Sequence, residues 1–123
     1  MSSQAERIVN DFCAAFARRN IDELMTYFAV DAVYHNVPAT AATGKDAIRK
    51  ALESYVPLSR SIEFRVLRST VAGDVVFNER LDIFDMNGKR VELPVAGIFE
   101  LAGGKITLWR DYFDMGTWTR QMQ

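Results

Sequence analysis

Apolar positions follow two rhythms along the chain, with mainly helical spacing up to about residue 57, broken by one strand-like segment, and strand-like alternation beyond it. Ser3 and Glu6 form a capping box, behind which Ala5, Ile8, Val9, Phe12, Cys13 and Phe16 recur on one helix face. Arg18 and Arg19 then sit where the dipole of a last turn favours cations. A second short helix follows, with Asn20 as its cap, Asp22 and Glu23 in its first turn, and Ile21, Leu24, Met25 and Phe28 as its buried stripe. The β-branched and aromatic AVYHNVP, stopped by Pro38, predicts a strand of about six residues. Small, turn-rich ATAATGKDA predicts a loop, after which Ala47, Ile48, Ala51, Leu52 and Tyr55 mark a third helix that Pro57 ends.

The rest reads as long strands. SIEFRVLRS, VVFNERLDIFD, KRVELPVAGIFEL and ITLWRDYFDM are separated by AGD, NG and AGGK, each a turn signal for antiparallel neighbours. Asn87-Gly88 is the clearest, because a type I′ turn needs φ > 0 at both central residues. The predicted order ααβαββββ is that of an α+β fold, with helices on one face of a curved sheet that can wrap around a pocket.

Composition narrows the function classes. A chain of 123 residues is one domain's worth, so residues 1–123 are read as a single unit. With 15 Lys+Arg against 16 Asp+Glu there is no basic footprint for a phosphate backbone, and nucleic acid is disfavoured as a partner. The single Cys13 allows no intrachain disulfide. The opening MSSQAERIVNDF lacks a basic region followed by an apolar run, and no stretch approaches the roughly 18 apolar residues of a spanning helix. No membrane association and a cytoplasmic setting are therefore expected.

Strand alternation decides which chemistry-bearing side chains share a face. In the last strand Trp109, Asp111, Phe113 and Met115 point one way, and Arg110, Tyr112 and Asp114 the other. Asp111 is the anomaly, a carboxylate on an apolar face that desolvation penalises unless a partner compensates. Arg80 and Asp82 share a face with Asn78 and Phe84, and the planar fork of Arg80 suits it to bridge Asp82 and Asp111. Tyr34 and Asn36 share another strand face, with His35 turned away. On spacing alone the cluster reads either as a structural ion network or as a paired acid and base. His35 has no neighbours at metal-ligand spacing, Cys13 reads as packing, and neither GKDA at 44–47 nor AGGK is a phosphate-binding loop.

Three strings, VYHNVPATAATGKDAI, NERLDIF and GIFELAGGKITLWRDYFDMGTW, resemble the limonene-1,2-epoxide hydrolases in order and spacing from about Tyr34 onward. The resemblance implies the cone-shaped α+β fold of the nuclear transport factor 2-like superfamily, a cystatin-like roll. In it a curved mixed or antiparallel sheet packs against three helices of the N-terminal half, usually as a homodimer. Carried over position by position, the family's polar set falls on Tyr34, Asn36, Arg80, Asp82 and Asp111. The ending MGTWTRQMQ is shorter than the tail of the family's founding members, at an end expected to shape the pocket.

What this implies agrees with the residues. Opening an epoxide with water requires a base for the water and an acid for the alkoxide, and two carboxylates with different pKa values supply both. The resemblance makes Asp111 the base and Asp82 the acid, with Arg80 between them and Tyr34 and Asn36 holding the water. The expected reaction is one-step hydrolysis of a small hydrophobic epoxide to a vicinal diol, needing no metal or organic cofactor. Two alternatives stay open: an isomerase or cyclase like the ketosteroid isomerases and polyketide cyclases of the same superfamily, and a non-catalytic small-ligand-binding module.

Overall fold

The computed structural model describes residues 3–123. Ser3 Oγ accepts the Glu6 N–H at 3.0 Å and starts α1, Gln4–Ala15, as expected, although the Glu6 carboxylate accepts from Ser69 Oγ of a distant strand. The helix ends earlier than its spacing suggests. A 3₁₀ turn over Phe16–Arg18 follows, and Arg19 turns the chain with a left-handed φ of 52°. Arg18 and Arg19 therefore do not cap α1: Arg18 pairs with Glu23, and Arg19 donates to the Ser59 carbonyl at 3.0 Å. Asn20 caps α2, Ile21–Met25, by accepting the Glu23 N–H.

Phe28, expected on the second helix, instead opens β1, Phe28–Asn36, which is longer than its AVYHNV segment indicated. The predicted loop after it contains a two-residue strand, β2, Ala42–Thr43, antiparallel to β1. Helix α3 spans Lys45–Glu53 and leaves Tyr55 just past its end. The long strands are β3, Ser59–Ala72, β4, Val75–Met86, β5, Lys89–Ala102, and β6, Lys105–Tyr112. Asn87 and Gly88 both have positive φ, 55° and 72°, as a type I′ turn requires.

The sheet order is β2-β1-β6-β5-β4-β3, with β1 parallel to β6 and every other pair antiparallel. Register shifts in β3, between β5 and β6 and between β1 and β6 bend it around its concave face. That face holds the core. Trp109 is fully buried there, stacked on Tyr34 with centroids 4.0 Å apart, and Phe12 of α1 meets it edge-on at 5.0 Å.

Two corrections concern the C-terminal end. The alternation of β6 stops at Tyr112, so Phe113 and Met115 are not strand residues, and Asp114 instead caps a fourth helix, α4, Met115–Met122. The expected set of three helices in the N-terminal half is thus joined by one that follows the sheet. Gln121 of α4 occupies the place of a neighbouring strand: it accepts from Glu92 N–H at 2.8 Å and donates to the Glu92 carbonyl at 2.9 Å. This satisfies the edge of β5 where β6 has ended. No helix of the described residues is long and apolar enough to cross a membrane.

Candidate active site

Four strands lay the polar residues out in one row. Asn36 on β1 lies beside Asp111 on β6, Asp111 beside Gly97 on β5, and Gly97 beside Asn78 on β4. Arg80 and Asp82 follow Asn78 on the same face of β4, and Tyr34 precedes Asn36 on the same face of β1. Arg80 and Asp111 are thus two strands apart, and the guanidinium crosses β5 at Gly97. A Cβ at that position would lie 2.5 Å from Arg80 Nη1, 2.8 Å from Asn78 Oδ1 and 2.9 Å from Asp111 Oδ1. The missing side chain is what makes room for the bridge.

Arg80 is fully buried, and each of its five N–H bonds has an acceptor. Nε and Nη2 donate to Asp82 Oδ1 and Oδ2 at 3.0 and 2.9 Å, a fork-to-fork pair. The second Nη2 hydrogen goes to Asp111 Oδ2 at 2.7 Å, and the Nη1 hydrogens go to Asp111 Oδ1 at 3.2 Å and Asn78 Oδ1 at 3.1 Å. Trp109 Nε1 also donates to Asp111 Oδ1, at 2.8 Å. Asp111 Oδ2 is therefore the oxygen with an acceptor position to spare. On β1, Asn36 Nδ2 donates to Tyr34 Oη at 3.1 Å, which lies 3.0 Å from Tyr55 Oη.

Burial raises the Asp82 pKa to about 6; the charge and hydrogen bonds of Arg80 hold it down in part, and the neighbouring Asp111 charge adds to the rise. Burial opposes the charge on Arg80 as well, but Asp111 and Asp82 outweigh it and keep the guanidinium protonated. One cation between two buried carboxylates leaves a net negative charge, so a single proton on the pair makes the cluster neutral.

A cavity of about 230 Å³ opens over the row. Tyr34, Asn36, Asp82 and Asp111 give it polar character on one side, and Phe64, Phe84, Leu93, Phe113 and Trp118 line it elsewhere. Residues after β6 thus contribute directly to the pocket, through Trp118 of α4. The structure brings all five sequence-predicted residues together, Arg80 lying behind the others. His35 bonds the Ala39 carbonyl, and Cys13 lies against Asn78, its thiol pushed up to about 12 by burial, so the two form no nucleophilic pair. Among the described residues no group of His, Cys, Asp or Glu is placed to hold a metal ion.

Sequence reasoning missed Gly97, Tyr55 and Trp118. A glycine inside a strand pattern is a signal of close approach, and it was available for Gly97 in VAGIFE. Tyr55 reads as part of an apolar helical stripe, and only the fold reveals its hydroxyl contact.

Comparison with known proteins gives a consistent family. The sequence pattern of the limonene-1,2-epoxide hydrolase catalytic domain matches residues 3–123. The epoxide hydrolase EphG of Mycobacterium tuberculosis is 33% identical over 112 residues, covering 87% of this chain and 71% of EphG. A solved LEH-like epoxide hydrolase from M. tuberculosis superposes with a TM-score of 0.84 at 30% identity, covering 97% of this chain and 92% of that one. The epoxide hydrolase/cyclase-like enzyme SalBIII, which has a role in pyran ring formation in the polyether salinomycin, shares the fold at a TM-score of 0.83 and 20% identity, covering 92% of each chain. The architecture is nuclear transport factor 2-like. On the match across nearly its whole length and the identity to EphG, the chain belongs to the limonene-1,2-epoxide hydrolase family.

Proposed function

We propose that this protein hydrolyses a small hydrophobic epoxide to a vicinal diol in one step. A water molecule bound between Asp111, Asn36 and Tyr34 gives a proton to Asp111 as its oxygen attacks an epoxide carbon. The carbon–oxygen bond opens, and Asp82 protonates the leaving alkoxide. Asp111 then holds the proton that Asp82 has lost, and return of that proton across the Arg80-bridged pair resets the enzyme. The observation that carries this reading is the single guanidinium bonded to both cavity carboxylates, with Asp82 raised to about 6 and so able to hold a proton near neutral pH. The chemistry uses side chains and water alone.

The substrate class follows from the lining, which offers a mainly aromatic and aliphatic wall beyond the polar row. We further infer a homodimer formed through the outer face of the sheet, and a cytoplasmic setting in keeping with the free, buried Cys13. Incubation with an epoxide in oxygen-18 water tests the reaction. A singly labelled diol is expected. An isomerised ketone would establish the isomerase or cyclase alternative, and tight apolar ligand binding without turnover a binding module.

A further inference from the structure

Asp111 and the Asn36 side-chain carbonyl are both acceptors, so they take the two hydrogens of a water held between them. The water oxygen then needs a donor aimed at it, leaving its other lone pair for the epoxide carbon. Tyr34 supplies that donor only if its hydroxyl hydrogen is not used elsewhere.

Its surroundings decide the matter. Tyr34 Oη accepts from Asn36 Nδ2 at 3.1 Å and lies 3.0 Å from Tyr55 Oη, a contact that holds one hydrogen. If that hydrogen is Tyr34's own, the group has nothing left to offer the water. If it is Tyr55's, Tyr34 accepts twice and its hydrogen is free to turn into the cavity that both rings line. The second arrangement is favoured at Tyr55 itself, because Tyr34 is its hydroxyl's hydrogen-bond partner among the described residues. Donating to Tyr34 satisfies the Tyr55 hydrogen, whereas accepting from it leaves that hydrogen against a largely apolar cavity.

Tyr55 is also held in place. It follows the cap of α3, its N–H reaches the Leu52 carbonyl at 3.2 Å, its carbonyl accepts from Ser59 Oγ at 2.7 Å, and its ring meets Phe84 edge-on at 5.9 Å. We propose that Tyr55 is a positioning residue for hydrolysis, donating to Tyr34 and thereby aiming the Tyr34 hydroxyl at the attacking water. This rests on the hydrolytic reading above and extends it to a residue outside the polar row.

The test measures diol formation from styrene oxide in oxygen-18 water by the full chain and its variants. Tyr55→Phe keeps the ring and removes only the hydroxyl, so kcat should fall about tenfold or more while KM and the melting temperature stay close to wild type. Because Tyr55 acts through Tyr34, the double variant Tyr34→Phe/Tyr55→Phe should be no slower than Tyr34→Phe alone. Tyr55→Leu, which removes ring and hydroxyl together, should lose at least as much kcat as Tyr55→Phe. Wild-type kcat in Tyr55→Phe, or losses that multiply in the double variant, would overturn the positioning role. A slow Tyr55→Leu beside a fast Tyr55→Phe would do the same by assigning the effect to ring packing. A wild-type chain that forms no labelled diol overturns the hydrolytic reading itself, and the role of Tyr55 with it.

Discussion

Asp111 meets two donors at Oδ1 and one at Oδ2, and these bonds align it and leave a single acceptor position for a water. Asp111→Asn has nearly the same shape and cannot take a proton, so the folded variant should lose diol formation by about 10²–10⁴-fold; circular dichroism with a rate assay checks both halves. In the proposed mechanism Asp82 is the acid that must be protonated for turnover, a role that a pKa raised to about 6 by burial supports. Accordingly kcat/KM should fall as pH rises above about 6, and a flat profile from pH 5 to 8 would remove Asp82 from that role. Stability moves in the same direction. The folded state binds the Asp82 proton more tightly than the unfolded chain, whose ordinary value is 3.8. The contribution is therefore complete below about pH 4 and is lost as pH rises through 6, to the extent of a few kcal/mol. Asp82→Asn should flatten that part of the dependence of Tm on pH.

Strands and turns were legible where the information was local. Asn87-Gly88 fixed a hairpin, alternation placed Arg80 with Asp82 and Tyr34 with Asn36, and each pair does share a face. The parallel pairing of β1 with β6 was not legible, because it joins segments far apart in the chain and no turn announces it. Helix α4 was not legible because the strand-like alternation of Trp109, Asp111, Phe113 and Met115 continues across its start, although Asp114 with Thr117 is an N-cap signature. The element that makes the bridge feasible is β5, whose Gly97 sits between Asn78 and Asp111. Arg80 is pinned by five hydrogen bonds and cannot swing from an added methyl group. Gly97→Ala should therefore cost about 1–3 kcal/mol of stability and at least about tenfold in kcat, whereas an exposed alanine would be close to neutral. Thermal melting and the diol assay read the two effects separately, and wild-type values in both would mean that the guanidinium does not need this gap.

At the scale of the whole molecule the two faces of the sheet differ. The concave face is filled by α1, the aromatic cluster around Trp109 and the cavity. On the other face the strand register aligns Phe77 of β4 with Ile98 of β5, Leu81 with Pro94, and Ala96 with Tyr112 of β6. Phe77 and Tyr112 remain 43% and 45% exposed. Apolar side chains aligned over three central strands form a surface that a monomer leaves in water, at a cost of roughly 25 cal/mol per Å² relative to burial. A second copy presenting the same patch about a two-fold axis covers it without leaving an open end, which is why a homodimer is the assembly proposed. Light scattering at micromolar concentration should give twice the 13.9 kDa chain mass. Phe77→Glu, on that face and outside the cavity lining, should shift the population to monomer while the melting transition of each chain persists. A wild-type monomer at that concentration, or a Phe77→Glu variant that stays dimeric, would place the interface elsewhere or remove it.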